Sequence, residues 1–291
     1  MRSFFGGIFE WRLVKNCIGF CALFFVGPLA HGFELEIEGD LTQGSLVQGR
    51  TDAEVVDIFD QKVRVDADGR FVFGLGRDAA KTLVLTLHKG EVREEKTLSV
   101  HARHYNIQKI TGVEDKYVNP PQAVLARIIR DVAEVKKARA INRDSDEFRT
   151  QFQMPAKGPI TGVYGSQRIF NGVPKRPHYG LDIAGPVGTE VRAPAAGLVT
   201  LAEPDMYYSG GTLIVDHGQG VSSTFIHLSK ILVKVGDYVG QGQVIARIGQ
   251  SGRATGPHLD WRVNWFDQRL DPELVLQGKY LQRETSGEHK E

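Results

Sequence analysis

The sequence predicts a mainly β protein with three parts: an N-terminal antiparallel β-sandwich, a linker helix and a C-terminal all-β domain. Three observations carry that prediction. Apolar and polar residues alternate across residues 33–105, a single helical stripe occupies residues 119–150, and short glycine-bounded apolar runs fill residues 152–275. A period of two means half-buried strands, whereas apolar residues three and four apart mean a helix with one packed face.

Before the first strand, Arg2, Arg12 and Lys15 precede the uncharged run CIGFCALFFVGPLA. A basic start, a short apolar core and a small-residue end predict a secretory signal peptide over residues 1–30, cut near Ala30. The alternative is an uncleaved membrane anchor, because the uncharged stretch continues to Phe33. In either case the bulk of the chain lies outside the cytoplasm, periplasmic or secreted. Phe20 is too bulky for the residue before a lipid-bearing Cys21.

Both cysteines of the chain, Cys17 and Cys21, fall in this segment. A mature protein without them has no thiol nucleophile, no disulfide framework and no Cys-based zinc site. Removal also takes three of 36 basic groups and one of 35 acidic ones, leaving 33 against 34. So balanced a surface has no electrostatic footprint for nucleic acid.

The N-terminal strands read FELEIEG, EVVDIF, KVRV, RFVFGLG, TLVLTLH and VREEKTLSV. Asp66-Ala67-Asp68-Gly69 and Lys89-Gly90 are the clearest turns between them, and the spacing predicts an Ig-like sandwich over residues 32–110. Asp-x-Asp-Gly also opens a calcium-loop pattern, but the downstream glutamate is missing and Asp-Gly already accounts for a hairpin. His88, His101 and His104 have no acidic or histidine partner at ligand spacing and read as surface residues.

After Asn119-Pro120-Pro121 the period lengthens, with Val124, Ile128, Val132 and Val135 on one stripe. Tandem prolines suit a helix start, and the helix is expected to reach about Ile141 before the polar NRDSDE. One apolar stripe is what a docked linker needs; a partner-binding helix is the alternative. The tail at 282–291 is polar and expected to be disordered.

Three segments of the C-terminal domain carry histidine and aspartate: RPHYGLDIAG with His178 and Asp182, STFIHLS with His227, and GPHLDWRV with His258 and Asp260. Pro177, Gly180 and Gly185 argue against a helix around His178. A straight strand would set His178 and Asp182 about 13 Å apart, so sharing one metal requires a bend, expected at Gly180. His258 and Asp260, two apart in a strand, face the same way.

Together these segments resemble the lysostaphin-type, or LytM-type, zinc metalloendopeptidases of cell-wall peptides. That family carries a His-x-x-x-Asp, a His-Leu within a strand and a His-x-His near its end; the likeness extends over residues 152–272, through GSQRIFNG, VRAPAAGLVT, GGTLIVDHG and VGDYVGQGQVIA. The resemblance implies one zinc ion per chain with His178 and Asp182 as ligands, His227 and His258 as the catalytic histidines, and peptidoglycan peptide stems as substrate. Its third ligand position holds Asp260 instead of histidine. An aspartate oxygen binds zinc at a similar distance, but a second anionic ligand weakens the ion as a Lewis acid. His217 of VDHGQG matches no site role and reads as structural.

Two other classes of function compete with the peptidase. Relatives that have lost ligands regulate other wall hydrolases through a protein partner, and Asp260 favours that reading while the other four site positions oppose it. The run VKVGDYVGQGQVIARIG resembles the hairpins of lipoyl and biotinyl carrier domains, but Lys234 reads as lying inside a strand and not at a hairpin tip.

Overall fold

The computed structural model describes residues 32–110, 122–170 and 172–278. The expected signal peptide, the Pro120-Pro121 helix start and the tail at 282–291 lie outside the described residues. Seven strands come first: β1 (Leu35–Glu38), β2 (Leu46–Thr51), β3 (Val55–Ile58), β4 (Gln61–Arg64), β5 (Arg70–Gly74), β6 (Thr82–Lys89) and β7 (Val92–Ser99). They form two antiparallel sheets, ordered β1-β2-β5 and β4-β3-β6-β7. The alternation predicted each of these strands except β2, whose Gly49-Arg50 interrupts the apolar pattern.

β4 and β5 belong to different sheets and do not pair, so the Asp66 turn carries the chain from one sheet to the other and is not the hairpin that Asp-Gly suggested. The Asp66 Oδ1 accepts the backbone N–H groups of Asp68 and Arg70 at 2.9 and 2.8 Å, and its Oδ2 accepts from Arg149 at 2.5 Å. With both oxygens so engaged, the aspartate holds the turn together. His88 departs from expectation, because its Nε2 lies 2.8 Å from Asp57 on the neighbouring strand β3. Cross-strand neighbours are invisible to sequence spacing.

β8 (Ile107–Ile110) leaves the antiparallel pattern and pairs in parallel with a strand of the C-terminal part. Helix α1 (Leu125–Arg139) follows, starting and ending close to where the stripe predicts. Val135 and Ala138 pack with Leu201, Met206 and Ile214, but Val132 on the same predicted stripe is 60% exposed. The helix therefore docks through its C-terminal half. Among the described residues no helix is long and apolar enough to cross a membrane.

The C-terminal strands are β9 (Ile160–Gly162), β10 (Gln167–Phe170), β11 (Val173–Pro174), β12 (Leu181–Ala184), β13 (Glu190–Arg192), β14 (Gly197–Met206), β15 (Gly210–Asp216), β16 (Val221–Ile231), β17 (Tyr238–Val239), β18 (Val244–Ile248), β19 (His258–Trp265) and β20 (Gln268–Leu270), closed by α2 (Pro272–Gln277). Ten of them form one sheet along the path β17-β14-β15-β16-β19-β12-β9, with β13, β18 and β20 attached at its sides. The β10–β11 hairpin pairs with β8 instead. Neither that hairpin nor α2 was expected. Lys234 corrects a further reading: it begins the turn closed by the Asp237 N–H at 3.0 Å, not a strand. The flanking strands β16 and β17 do not pair with each other, so this turn is not a hairpin tip of the carrier-domain kind.

One buried cluster runs through the two N-terminal sheets and the ten-stranded sheet, joining Val47, Phe73 and Leu85 to Leu181, Phe225 and Trp265. Polar ties cross the same junction: Arg103 pairs with Asp271 at 2.7 Å and Arg77 Nε donates to the Gly165 carbonyl at 2.9 Å. At its centre, a Cβ on Gly74 would come within 2.7 Å of the Trp265 Cβ and 2.8 Å of Leu270 Cδ2. Gly74→Val is expected to destabilise the whole chain by about 1–3 kcal/mol through overpacking, measured as a lower urea midpoint. A change below about 0.5 kcal/mol would show that the two parts do not share this packing.

Candidate metal and catalytic site

Strand register brings the charged residues together. Asp182 of β12 stands directly opposite Asp260 of β19, and Ala184 opposite His258. Alternate residues of a strand share a face, so His258, Asp260 and Arg262 form a row along β19. His178 precedes β12 in a bent segment, held by backbone hydrogen bonds between its peptide groups and those of Gly165 and Ser166. The bend carries its Nε2 to 3.2 Å from Asp182 Oδ1.

One ligand atom from each of His178, Asp182 and Asp260 lies within 4.8 Å of the other two. His178 Nε2 and Asp182 Oδ1 are buried and, despite their proximity, lack hydrogen-bond geometry to any partner. Two unsatisfied polar atoms and a second carboxylate converging on one point fit a divalent cation, and an imidazole with two carboxylates suits zinc. Three protein ligands also leave a coordination position open. A Cβ on Gly180 would lie 2.0 Å from Asp260 Oδ1, and one on Gly162 2.3 Å from Asp182 Oδ2. Both carboxylates thus occupy space that only glycine leaves.

Asp260 is 3% exposed, and burial favours its neutral acid. Arg262 outweighs that effect, with Nε 3.0 Å from Oδ1 and Nη2 2.5 Å from Oδ2, and the pKa falls below the usual carboxylate range. A carboxylate has about four lone-pair directions, so Asp260 retains acceptor capacity beyond this fork. Burial also opposes a charged His178, yet the Asp182 and Asp260 carboxylates prevail and hold its pKa above the ordinary histidine value.

His227 and His258 stand beside this group with ring centroids 4.8 Å apart. Each has Nδ1 2.8 Å from a backbone carbonyl, Ser251 for His227 and Gly256 for His258. A carbonyl only accepts, so Nδ1 carries the proton and Nε2 is the basic nitrogen in the neutral ring. His258 Nε2 lies 4.0 Å from Asp182 Oδ1. Burial lowers the pKa of His227 and keeps it neutral near pH 7. Its backbone has φ +65°, beside a register shift between Leu228 and Lys230. A non-glycine residue in that region costs roughly 1–3 kcal/mol, and such strain concentrates at functional sites.

All five sequence-predicted positions, His178, Asp182, His227, His258 and Asp260, therefore meet in one place. Arg262 was missed, although its spacing of two from Asp260 in a strand was readable in the sequence. His217 is elsewhere and fully buried: its Nδ1 donates to the Ala196 carbonyl at 2.7 Å, and its Nε2 accepts from the Ser223 hydroxyl at 2.8 Å.

Residues 176–272 match the model of peptidase family M23, and this stretch holds all five site residues. It is an M23 peptidase domain. Among curated proteins the chain is 35% identical over 127 residues to peptidoglycan DD-endopeptidase ShyA of Vibrio cholerae serotype O1, covering 42% of this chain and 29% of that protein. It is 38% identical over 100 residues to DD-carboxypeptidase/endopeptidase Mpg of Neisseria meningitidis serogroup B, covering 34% of this chain and 23% of Mpg. The chain thus spans less than a third of the length of either relative. A crystal structure of a candidate M23 peptidase from Pseudomonas aeruginosa superposes with a TM-score of 0.66 at 29% identity, covering 83% of this chain and 97% of that one. That coverage extends the shared fold well beyond the M23 domain.

His217 generates a pH prediction. Burial pushes its pKa down from 6.5 to about 4. The unfolded state therefore binds a proton over that interval while the folded state does not, so stability falls as pH drops from 6.5 to 4. The loss attributable to this one group is about 3 kcal/mol. Urea unfolding at several pH values is expected to show a shallower acid slope for His217→Gln than for the wild type; equal slopes would refute the assignment.

Proposed function

We propose that this protein is an exported, zinc-dependent endopeptidase that hydrolyses peptide cross-links of peptidoglycan. The observation that carries the reading is the convergence of His178, Asp182 and Asp260 beside two histidines with basic Nε2 atoms. The named activities of ShyA and Mpg support the substrate class. An extracytoplasmic substrate agrees with export, and the chain is placed in the periplasm or outside the cell. In this reading residues 152–275 form the peptidase domain, with the sandwich at 32–110 positioning or restraining it through the linker at 119–150.

His178, Asp182 and Asp260 would hold the zinc ion. When bound, it supplies Lewis acidity toward the scissile carbonyl and lowers the pKa of water. The protein does the rest. His227, neutral near pH 7, accepts a proton from the attacking water at Nε2, and either it or His258 returns a proton to the leaving amine. Arg262 orients Asp260 and offsets its charge. That compensation is significant, because two carboxylates would otherwise quench most of the ion's electrophilicity.

A second reading has one observation in its favour. Asp260 stands where the family pattern has histidine and is gripped by Arg262, which would suit a metal-free regulator that binds another wall hydrolase. Metal content separates the two. The peptidase reading expects about one zinc per chain, lost together with activity in His178→Ala and Asp260→Ala, and restored by zinc only to the wild type. Asp260→Asn keeps the shape, removes the anionic ligand and is expected to behave like Asp260→Ala. Elemental analysis with mass spectrometry of digested sacculi measures both quantities; a wild type that never retains metal, or cuts without it, would overturn the assignment.

The histidine roles give a separate expectation. His227→Ala and His258→Ala should retain zinc while losing about 100-fold to 10,000-fold in turnover. If either variant emptied of metal as His178→Ala does, ligand and proton carrier would have to be exchanged.

A further inference from the structure

We propose that the cavity between α1 and the central sheet is a carboxylate-binding subsite for the peptide cut at the neighbouring metal site, an inference that rests on the peptidase reading above. The cavity has a volume of about 270 Å³, and four arginines reach it: Arg139, Arg176, Arg262 and Arg269. Only Arg262 among them has an ion-pair partner within the described residues, the Asp260 carboxylate. Arg139 is the most telling. It sits at the end of α1 with 6% exposure, donates from Nη2 to the Thr224 hydroxyl at 2.9 Å, and leaves its Nε without any partner.

A buried cation without a counter-charge is costly, and Arg139 is such a cation; Arg176, which is exposed, and the half-buried Arg269 each hold their guanidinium 5.6 Å from the Tyr179 ring centroid but have no ion-pair partner among the described residues. Burial, followed by the charges of Arg262 and Arg176, pushes the Arg269 pKa down to about 10. The acids lining the cavity, Asp131 and Asp267, form no ion pair with these arginines, and the Asp267 charge offsets their crowding only in part. Asp131 accepts the Tyr207 backbone N–H at 2.7 Å, and Asp267 is exposed and pairs with none of the arginines. An incoming anion would satisfy all three groups, and a planar carboxylate matches the guanidinium fork best.

Position ties the cavity to the reaction. His258, Asp260 and Arg262 lie along one face of β19, so Arg262 is about 7 Å beyond the metal ligand. Ile226, adjacent to His227, lines the same cavity. A peptide bound at the metal would therefore place a group one or two residues from its scissile bond in front of the arginines. The opposite wall is aliphatic, built from Ile128, Val132, Val135 and Met206. An anionic head on a hydrocarbon stem fits both walls, which describes an acidic side chain or a chain-terminal residue with its free carboxylate.

The test compares ligands before it compares mutants. Calorimetry on the purified wild-type protein would titrate an N-acetylated dipeptide with a free carboxylate, its C-terminal amide, and inorganic phosphate. The carboxylate is expected to bind at least tenfold more tightly than the amide, and Arg176→Gln/Arg269→Gln should abolish that preference while Arg269→Lys keeps part of it. In cleavage assays on paired carboxylate and carboxamide substrates, the preference should appear mainly in KM. Equal binding of acid and amide, an unchanged preference in the double variant, or phosphate binding as tight as the dipeptide would overturn the subsite. Binding and cleavage report separately: absent cleavage with the carboxylate preference intact would count against the peptidase reading alone, and cleavage without preference against the subsite alone.

Discussion

Two carboxylates facing each other across adjacent strands are the constraint around which the C-terminal part is organised. Asp182 and Asp260 are direct cross-strand neighbours, and Asp260 is almost wholly buried. Like charges in that position destabilise a sheet, and an ionised carboxylate away from water is worse. The surrounding structure answers with positive charge on either side: His178, whose pKa is raised, and Arg262, which forks onto Asp260. Glycines at 162 and 180 then leave the space in which the two acids sit. Such an arrangement is electrostatically expensive as a structural element and reasonable as a cation site.

The same logic extends along β19. Once Arg262 is committed to Asp260, the neighbouring Arg139, Arg176 and Arg269 crowd a cavity whose own acids, Asp131 and Asp267, form no ion pair with them. The sheet thus presents a metal-seeking patch and an anion-seeking patch in succession on one strand face. In the proposed reading, a substrate that spans both would be read at two points, and binding at the second would hold the scissile bond at the first. Helix α1 closes this arrangement from above, tied by Arg127 to Asp205, by Asp131 to the Tyr207 amide and by Arg139 to Thr224.

The N-terminal sheets contribute rigidity to this scaffold. Trp265, at the end of the strand that bears His258 and Asp260, packs against Gly74. β8 completes the small sheet of β10 and β11, whose hairpin immediately precedes the His178 segment. Arg149 reaches from the C-terminal side to the Asp66 turn. These contacts bind the strand ends around the candidate site to a shared core.

Sequence alone indicated the class of fold, most of the extent of α1 and five residues that the structure brings together, because period-two patterning and short His/Asp motifs are local signals. It also indicated that His178 and Asp182 need a bend, since strand geometry forbids their meeting otherwise. Tertiary structure alone decided what these residues face. Pairing of β12 with β19 set Asp182 against Asp260, β3 supplied Asp57 to His88, and β8 paired in parallel with a hairpin some 60 residues away. It likewise removed Val132 from the helix contact and gathered four arginines from α1, the His178 segment, β19 and β20 around one cavity. The reason is physical: periodicity reports which side of an element is apolar, whereas register and packing decide which charges become neighbours, and those interactions lie between residues that the chain holds far apart.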